Sequence, residues 1–158
     1  MIFSISSCDD YLEVPYPTDQ LTSESTFGSK STINAAVLGM YYWHNFSFIM
    51  VSKSYNASLM SDEIVDTQNV TSGRVDLSNA QIEINNAEIN FWDFQYNVIN
   101  RANLILEQLP NVGTAILTTA EKNAFLGEAY YLRAANYFDL VNTYGDVPLV
   151  TTTDINDN

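Results

Sequence analysis

Apolar residues recur at steps of three and four along three stretches of the chain, and each stretch predicts a helix. From about Ser31 to His44, Ile33, Ala36, Val37, Met40 and Tyr41 share one face. From about Glu88 to Leu109, Phe91, Gln95, Val98, Ala102, Ile105 and Leu109 form one stripe, and Trp92, Tyr96, Ile99, Asn103 and Leu106 form the next. A helix that is apolar over most of its circumference is buried between neighbours. Pro110 ends it, and Asn111-Val-Gly-Thr makes a turn. The third helix opens on Thr118-Thr119-Ala120-Glu121, the spacing of a capping box, and runs to Tyr144. Phe125, Ala129, Leu132 and Asn136 lie on one of its stripes, and Leu126, Tyr130, Arg133, Tyr137, Leu140 and Tyr144 on the next. Small Gly127, Ala134 and Ala135 permit close approach. Gly145 suits the positive-φ end of the helix, and Pro148 cannot continue it.

Between these stretches the pattern fails. Asp9 to Phe27 holds Pro15, Pro17 and several Ser/Thr residues without a helical period, and reads as an extended arm. Residues 45–86 are rich in Asn, Ser, Thr and Asp, with a short helix compatible with Tyr55 to Val65. A connection of that length is either a working surface or a solvated join between helices. The second and third helices form an antiparallel pair of the kind that tetratricopeptide-like repeats stack. One such pair leaves apolar surface exposed on both helices, because repeat units bury a continuous core only against neighbours. The expected fold is all-α: a tetratricopeptide-like helical repeat with long irregular loops.

Charge narrows the function. Six basic residues against nineteen acidic ones give a net charge of -13, which repels phosphate backbones and anionic lipid surfaces. Nucleic acid is therefore not an expected partner. No apolar run approaches the roughly eighteen residues needed to span a bilayer as a helix. The single cysteine, Cys8, has no internal disulfide partner, and no His/Cys cluster suggests zinc. Cys8 follows apolar Met1, Ile2, Phe3 and Ile5 and small Ser6 and Ser7, and precedes Asp9 and Asp10. This resembles the tail of a bacterial lipoprotein signal whose basic and most apolar parts are missing. These ten residues are compatible with an acylated cysteine and with an ordinary free thiol.

Catalytic chemistry finds little support. Asp62 and Glu63 are adjacent carboxylates without a nucleophile or an oriented base, which reads as a polar helix end or loop. His44 is the only histidine, and reads as a helix-terminal residue. Arg133 sits among apolar neighbours and needs a partner, for which a Glu or Asp of an adjacent helix is the natural candidate. Trp43 and Trp92 could each stack on a sugar ring, although core packing is the commoner use of a helical tryptophan. The long loop offers Asn69 and Arg74 as donors and Asp62 and Asp76 as acceptors for ligand hydroxyls. Neither a metal nor a cofactor is expected.

Several of these motifs together resemble one family. Cys8-Asp9-Asp10-Tyr11-Leu12 before a proline-containing arm, Ser61-Asp62-Glu63, Tyr96-Asn97-Val98-Ile99-Asn100-Arg101-Ala102-Asn103, Glu128-Ala129-Tyr130-Tyr131-Leu132-Arg133-Ala134 and Tyr144-Gly145-Asp146-Val147-Pro148 are similar, in order and spacing, to the N-terminal region of SusD/RagB-family lipoproteins. The likeness runs over nearly the whole chain. It implies residues 1–8 as a residual lipoprotein signal with Cys8 lipidated, 9–28 as the arm, and 29–158 as the incomplete N-terminal part of a SusD-like helical domain. It also implies a non-catalytic glycan-binding protein at the outer-membrane surface of Bacteroidetes-type bacteria, lipid-anchored and serving a SusC-like TonB-dependent transporter. A peptide-binding role, as in the RagB-like branch, is the alternative. Members of the family are considerably longer, so this reading expects a fragment.

Overall fold

The computed structural model describes residues 23–45, 47–65 and 91–154, with side chains described from residue 54 onward in the helix that begins at Ser47. Among the described residues the ordered elements are helices: α1 Ser23–Phe27, α2 Lys30–His44, α3 Ser47–Met60, α4 Trp92–Gln108 and α5 Thr119–Tyr144, with a 3-10 turn at Leu109–Asn111. The three predicted helices are α2, α4 and α5; the stretch from Glu88 to Asn90, placed in the second by its pattern, lies outside the described residues. Two segments differ from the sequence reading. Ser23–Phe27, assigned to the extended arm, is helical. Ser47–Met60 places a helix inside the supposed irregular connection, beginning and ending earlier than Tyr55 to Val65. Its Ser and Asn residues are weak helix formers, and the sequence reading reached only its second half, from Tyr55 onward.

Contacts along the helices fix their directions. The start of α4 meets the end of α5, where Trp92 packs edge-on against Tyr144, and further along Tyr96 meets Tyr137 and Asn103 meets Arg133. Residue numbers rise on one helix as they fall on the other, so α4 and α5 are antiparallel and form the most extensive helix pair. On α2, Lys30 pairs with Glu121 and His44 with Asn136, so α2 runs parallel to α5 and antiparallel to α4. The three helices close a triangle around Ile33, Val37 and Met40 of α2, Val98, Ala102 and Ile105 of α4, and Ala129 and Leu132 of α5, with Leu109, Val112 and Leu117 of the α4–α5 connection. Each helix contributes by the spacing read from the sequence.

The helix ends are specified locally. Ser29 caps α2 by accepting from the Thr32 N–H at 3.2 Å. At α5 the capping box forms in both directions: Thr118 Oγ1 accepts from the Glu121 N–H, and Glu121 Oε2 accepts from the Thr118 N–H at 2.9 Å. The hydrogen bond from Lys30, then those from the Thr118 backbone and hydroxyl, hold the Glu121 carboxyl down to about 2. A Thr118→Ala protein is expected to lose about 1 kcal/mol in urea unfolding, since the box cannot form without its hydroxyl. Gly145 ends α5 with φ 79° and ψ -131°, a conformation open to glycine, while its N–H closes on the Val141 carbonyl.

That turn sends the chain back along the groove between α4 and α5. Residues 148–154 lie there as an extended strap held by side chains that address its main chain. Tyr96 Oη donates to the Pro148 carbonyl at 2.7 Å, and the Tyr137 hydroxyl both donates to the Val150 carbonyl and accepts from its N–H. Asn103 Nδ2 donates to the Val150 and Thr152 carbonyls, and Glu107 accepts from the Thr153 N–H at 2.7 Å. Tyr96, Asn103 and Glu107 share one face of α4, so the strap follows the helix axis. Arg133 donates to Asn103 Oδ1 at 2.8 Å and lies over the Tyr130 ring. Its partner is therefore an amide and a ring, not the carboxylate expected from sequence. An amide can accept from the guanidinium and still donate twice to the strap, which a carboxylate cannot do.

The expected exposed apolar surface appears on α5 but not on α4. Tyr130, Tyr131, Phe138 and Val141 are 57%, 64%, 70% and 53% exposed, and with Ala134 they form one stripe turned away from the triangle. On α4, Val98, Ile99, Ala102 and Ile105 are buried. The strap, α2 and α5 together cover the apolar faces of α4, which an isolated pair would leave open.

Candidate functional site

Beside the strap, α4 presents a face built from Trp92, Asp93, Tyr96, Asn97, Asn100, Arg101 and Leu104, with Tyr96 at the border between the two. These positions follow one another by helical steps, so they form a continuous shelf, which borders a recess of about 580 Å³. Two rings stand at one end, Trp92 and Tyr96, with centroids 4.9 Å apart. Neither ring is loose. Trp92 is braced edge-on by Tyr144 at 5.3 Å, while Tyr96 is braced by Tyr137 at 6.3 Å and by its hydrogen bond to the strap. Tyr144 also accepts from the Phe91 N–H at 2.9 Å, which satisfies an amide at the start of α4 where no side chain caps the helix.

Arg101 holds the other end. Its Nε donates to Asn97 Oδ1 at 2.7 Å, and its guanidinium lies 5.5 Å from the centre of the Trp43 ring. The ring contact and the hydrogen bond narrow the poses open to this long side chain, which lowers the entropic cost of presenting its donors. From Arg101 and Leu104 the groove continues into a second recess of about 310 Å³ between α1, α2 and α4, walled by Phe27, Ala35, Ala36, Gly39 and Ile105. Rings beside amide, carboxylate and guanidinium groups suit a ligand with apolar faces and a hydroxylated edge. They do not form a nucleophile–base pair. Among the described residues no group of His, Cys, Asp or Glu is placed to hold a metal ion.

Burial raises the hydroxyls of Tyr96, Tyr137 and Tyr144 above the usual tyrosine range; hydrogen bonds with the Val150 backbone and the charge of Arg133 partly offset this at Tyr137. Glu107 is lowered: burial pushes its carboxyl up, but hydrogen bonds from Thr153 and Thr152 outweigh it. A carboxyl lowered on folding contributes stability that is complete above its ordinary value of 4.5 and lost as pH falls through the folded value. Tyrosines raised on folding contribute below 10 and lose that contribution as pH rises through their higher values. Protection of the Val150 and Thr153 amides, taken relative to their intrinsic exchange at each pH, is accordingly expected to be greatest at neutral pH and to fall both in acid below 4.5 and in alkali above 10.

The residues singled out by sequence fall in different places. Trp43 is half-buried against the core, edge-on to Tyr42 at 5.9 Å and tilted on Phe94 at 6.1 Å, so it supports Arg101 and is not itself a wall of the groove. Asp62 ends α3. Its φ of 59° is the left-handed conformation, and the Glu63 N–H returns to the Ser58 carbonyl, as in a Schellman cap. Asp62 thus turns the backbone at a helix end and does not line the shelf recess. His44 closes α2, with Nδ1 at 3.2 Å from Asn136 Nδ2. Asn69, Arg74, Asp76 and Cys8 lie outside the described residues. The shelf residues Asp93, Asn97, Asn100 and Arg101 are not singled out by the sequence, because a polar stripe on a mainly apolar helix reads as its solvated side. The available signal was the pair Trp92 and Tyr96 one turn apart beside that stripe.

No helix among the described residues is long and apolar enough to cross a membrane. The model of the SusD-like family described as "Starch-binding associating with outer membrane" matches residues 10–158. SusD-like protein P38 of Formosa agariphila is 27% identical over 152 residues, covering 96% of this chain and 29% of that protein. SusD-like proteins P2 and P25 of the same organism are each 26% identical, covering 95% and 96% of this chain and 29% and 30% of their own lengths. The chain thus spans less than a third of the curated relatives it matches. No solved structure matches it. With the family match running across α1 to α5 and the strap, this chain belongs to the SusD-like family.

Proposed function

We propose that this chain binds a glycan on the α4 shelf, without catalysis, as part of an outer-membrane surface protein that serves a SusC-like TonB-dependent transporter. The observation that carries the reading is the row Trp92, Tyr96, Asn97, Asn100 and Arg101 on one helical face, with both rings and the guanidinium braced from behind. Pyranose rings present C–H faces that pack on aromatic planes, and their hydroxyls need donors and acceptors held at fixed positions. The family's description supports the same reading. Anchoring through an acylated Cys8 accounts for membrane attachment of a chain whose described helices do not span a bilayer. The loop residues Asn69, Arg74 and Asp76 complete the proposed contacts from the long connection after α3.

A glycan array probed with the purified chain tests the reading. Bound glycans are expected, with the signal reduced by Arg101→Ala. An array on which no glycan binds would contradict it. Alanine at Asn69 and Arg74 separates the two surfaces: unchanged affinity removes the loop from the site and leaves the shelf. Membrane fractionation of cells producing Cys8→Ser protein tests the anchor, with release of the protein from the membrane fraction expected.

A further inference from the structure

Resting on the glycan reading above, we infer that the ligand carries an acetyl group, which occupies the recess between α1, α2 and α4. The groove has two chemically unlike parts that share Arg101 and Leu104. The shelf offers amides, a carboxylate and rings. The recess of about 310 Å³ offers Phe27, Ala35, Ala36 and Ile105. Of the hydroxyls lining it, that of Thr32 already donates to the Ser29 carbonyl at 2.9 Å as part of the α2 cap. A sugar ring bearing only hydroxyls would meet polar partners only at Thr26, Thr32 and Arg101 and apolar walls elsewhere, and unpaired buried hydroxyls oppose binding. An acetyl group fits both parts at once. Its methyl meets the apolar walls, and its carbonyl accepts from Arg101, whose Nε is committed to Asn97 and whose terminal nitrogens supply donors at the junction.

Gly39 allows the recess to be filled without disturbing the fold. It lines the recess within α2, and a Cβ placed on it would meet nothing within 4 Å. A side chain at that position grows into the empty space, and replacing a mid-helix glycine improves helix propensity. Gly39→Leu is therefore expected to narrow the recess beside Ala35 and Ala36 while keeping or raising thermal stability.

The test compares chitotetraose with cellotetraose, which share a β-1,4-linked glucose backbone and differ in acetamido against hydroxyl, by calorimetric titration of the whole chain. Chitotetraose is expected to bind at least tenfold more tightly, and Gly39→Leu to abolish that preference with the melting temperature unchanged or raised. Equal or tighter binding of cellotetraose, or a preference that survives Gly39→Leu, would overturn the inference. A glycan array carrying each backbone in acetylated and unacetylated form keeps the two readings apart. Equal binding of both forms overturns the acetyl inference alone, whereas absence of any bound glycan overturns the glycan reading and this inference together.

Discussion

Asn103→Leu is expected to lower stability by about 3 kcal/mol, the largest effect of any single polar substitution among the described residues. Asn103 is fully buried, donates to the Val150 and Thr152 carbonyls, and accepts from Arg133. Leucine fills the space but removes a donor from the Thr152 carbonyl and the acceptor of a half-buried guanidinium, while the Val150 carbonyl keeps the Tyr137 hydroxyl, and buried groups that lose their partner cost more than the hydrogen bonds contributed. Asn103→Asp separates the two roles. A carboxylate keeps Arg133 paired and cannot donate to the strap, so a smaller loss in urea unfolding is expected, with exchange at Val150 and Thr153 still accelerated. Equal losses for both substitutions would show that Arg133 gains nothing from residue 103.

Trp92→Ala is expected to weaken glycan binding by about 2 kcal/mol, roughly thirtyfold. The indole is held edge-on by Tyr144 and tilted on Tyr96, so its stacking face is available without ordering cost. Truncation also removes packing at the start of α4, and Arg101→Ala supplies the control. Arg101 is exposed, and its loss should weaken binding while leaving the urea midpoint nearly unchanged. Affinity titration beside urea unfolding checks both. Unchanged affinity in both variants would place the ligand elsewhere.

How much of this was legible beforehand depended on whether the signal was periodic. The boundaries of α5 were written in Thr118, Glu121, Gly145 and Pro148, and its directions of burial in Ala129, Leu132 and Leu140; the structure carries all of them. The two stripes of α4 correctly announced a helix covered on most sides. The strap left no such trace, because Tyr96, Tyr137 and Asn103 look like ordinary stripe members until a returning segment is placed against them. The same applies to Arg133, whose amide partner lies on a helix thirty positions earlier. The shelf depends on Trp43 supporting Arg101 across a long sequence separation, and a single sequence does not state which helices touch. Asp62 stands where the polar helix end was read, because aspartate tolerates the left-handed conformation that closes α3.

The position of the ligand decides between the shelf and every other surface. The chain contains two tryptophans, so two indole N–H signals report on Trp43 and Trp92 in a proton–nitrogen spectrum. Titration with a glycan identified on the array should move the Trp92 indole together with the Asn97 and Asn100 side-chain amides. Shifts confined to residues 61–80, or to the strap at 148–154, with Trp92 unmoved, would contradict the assignment of the α4 face as the binding surface.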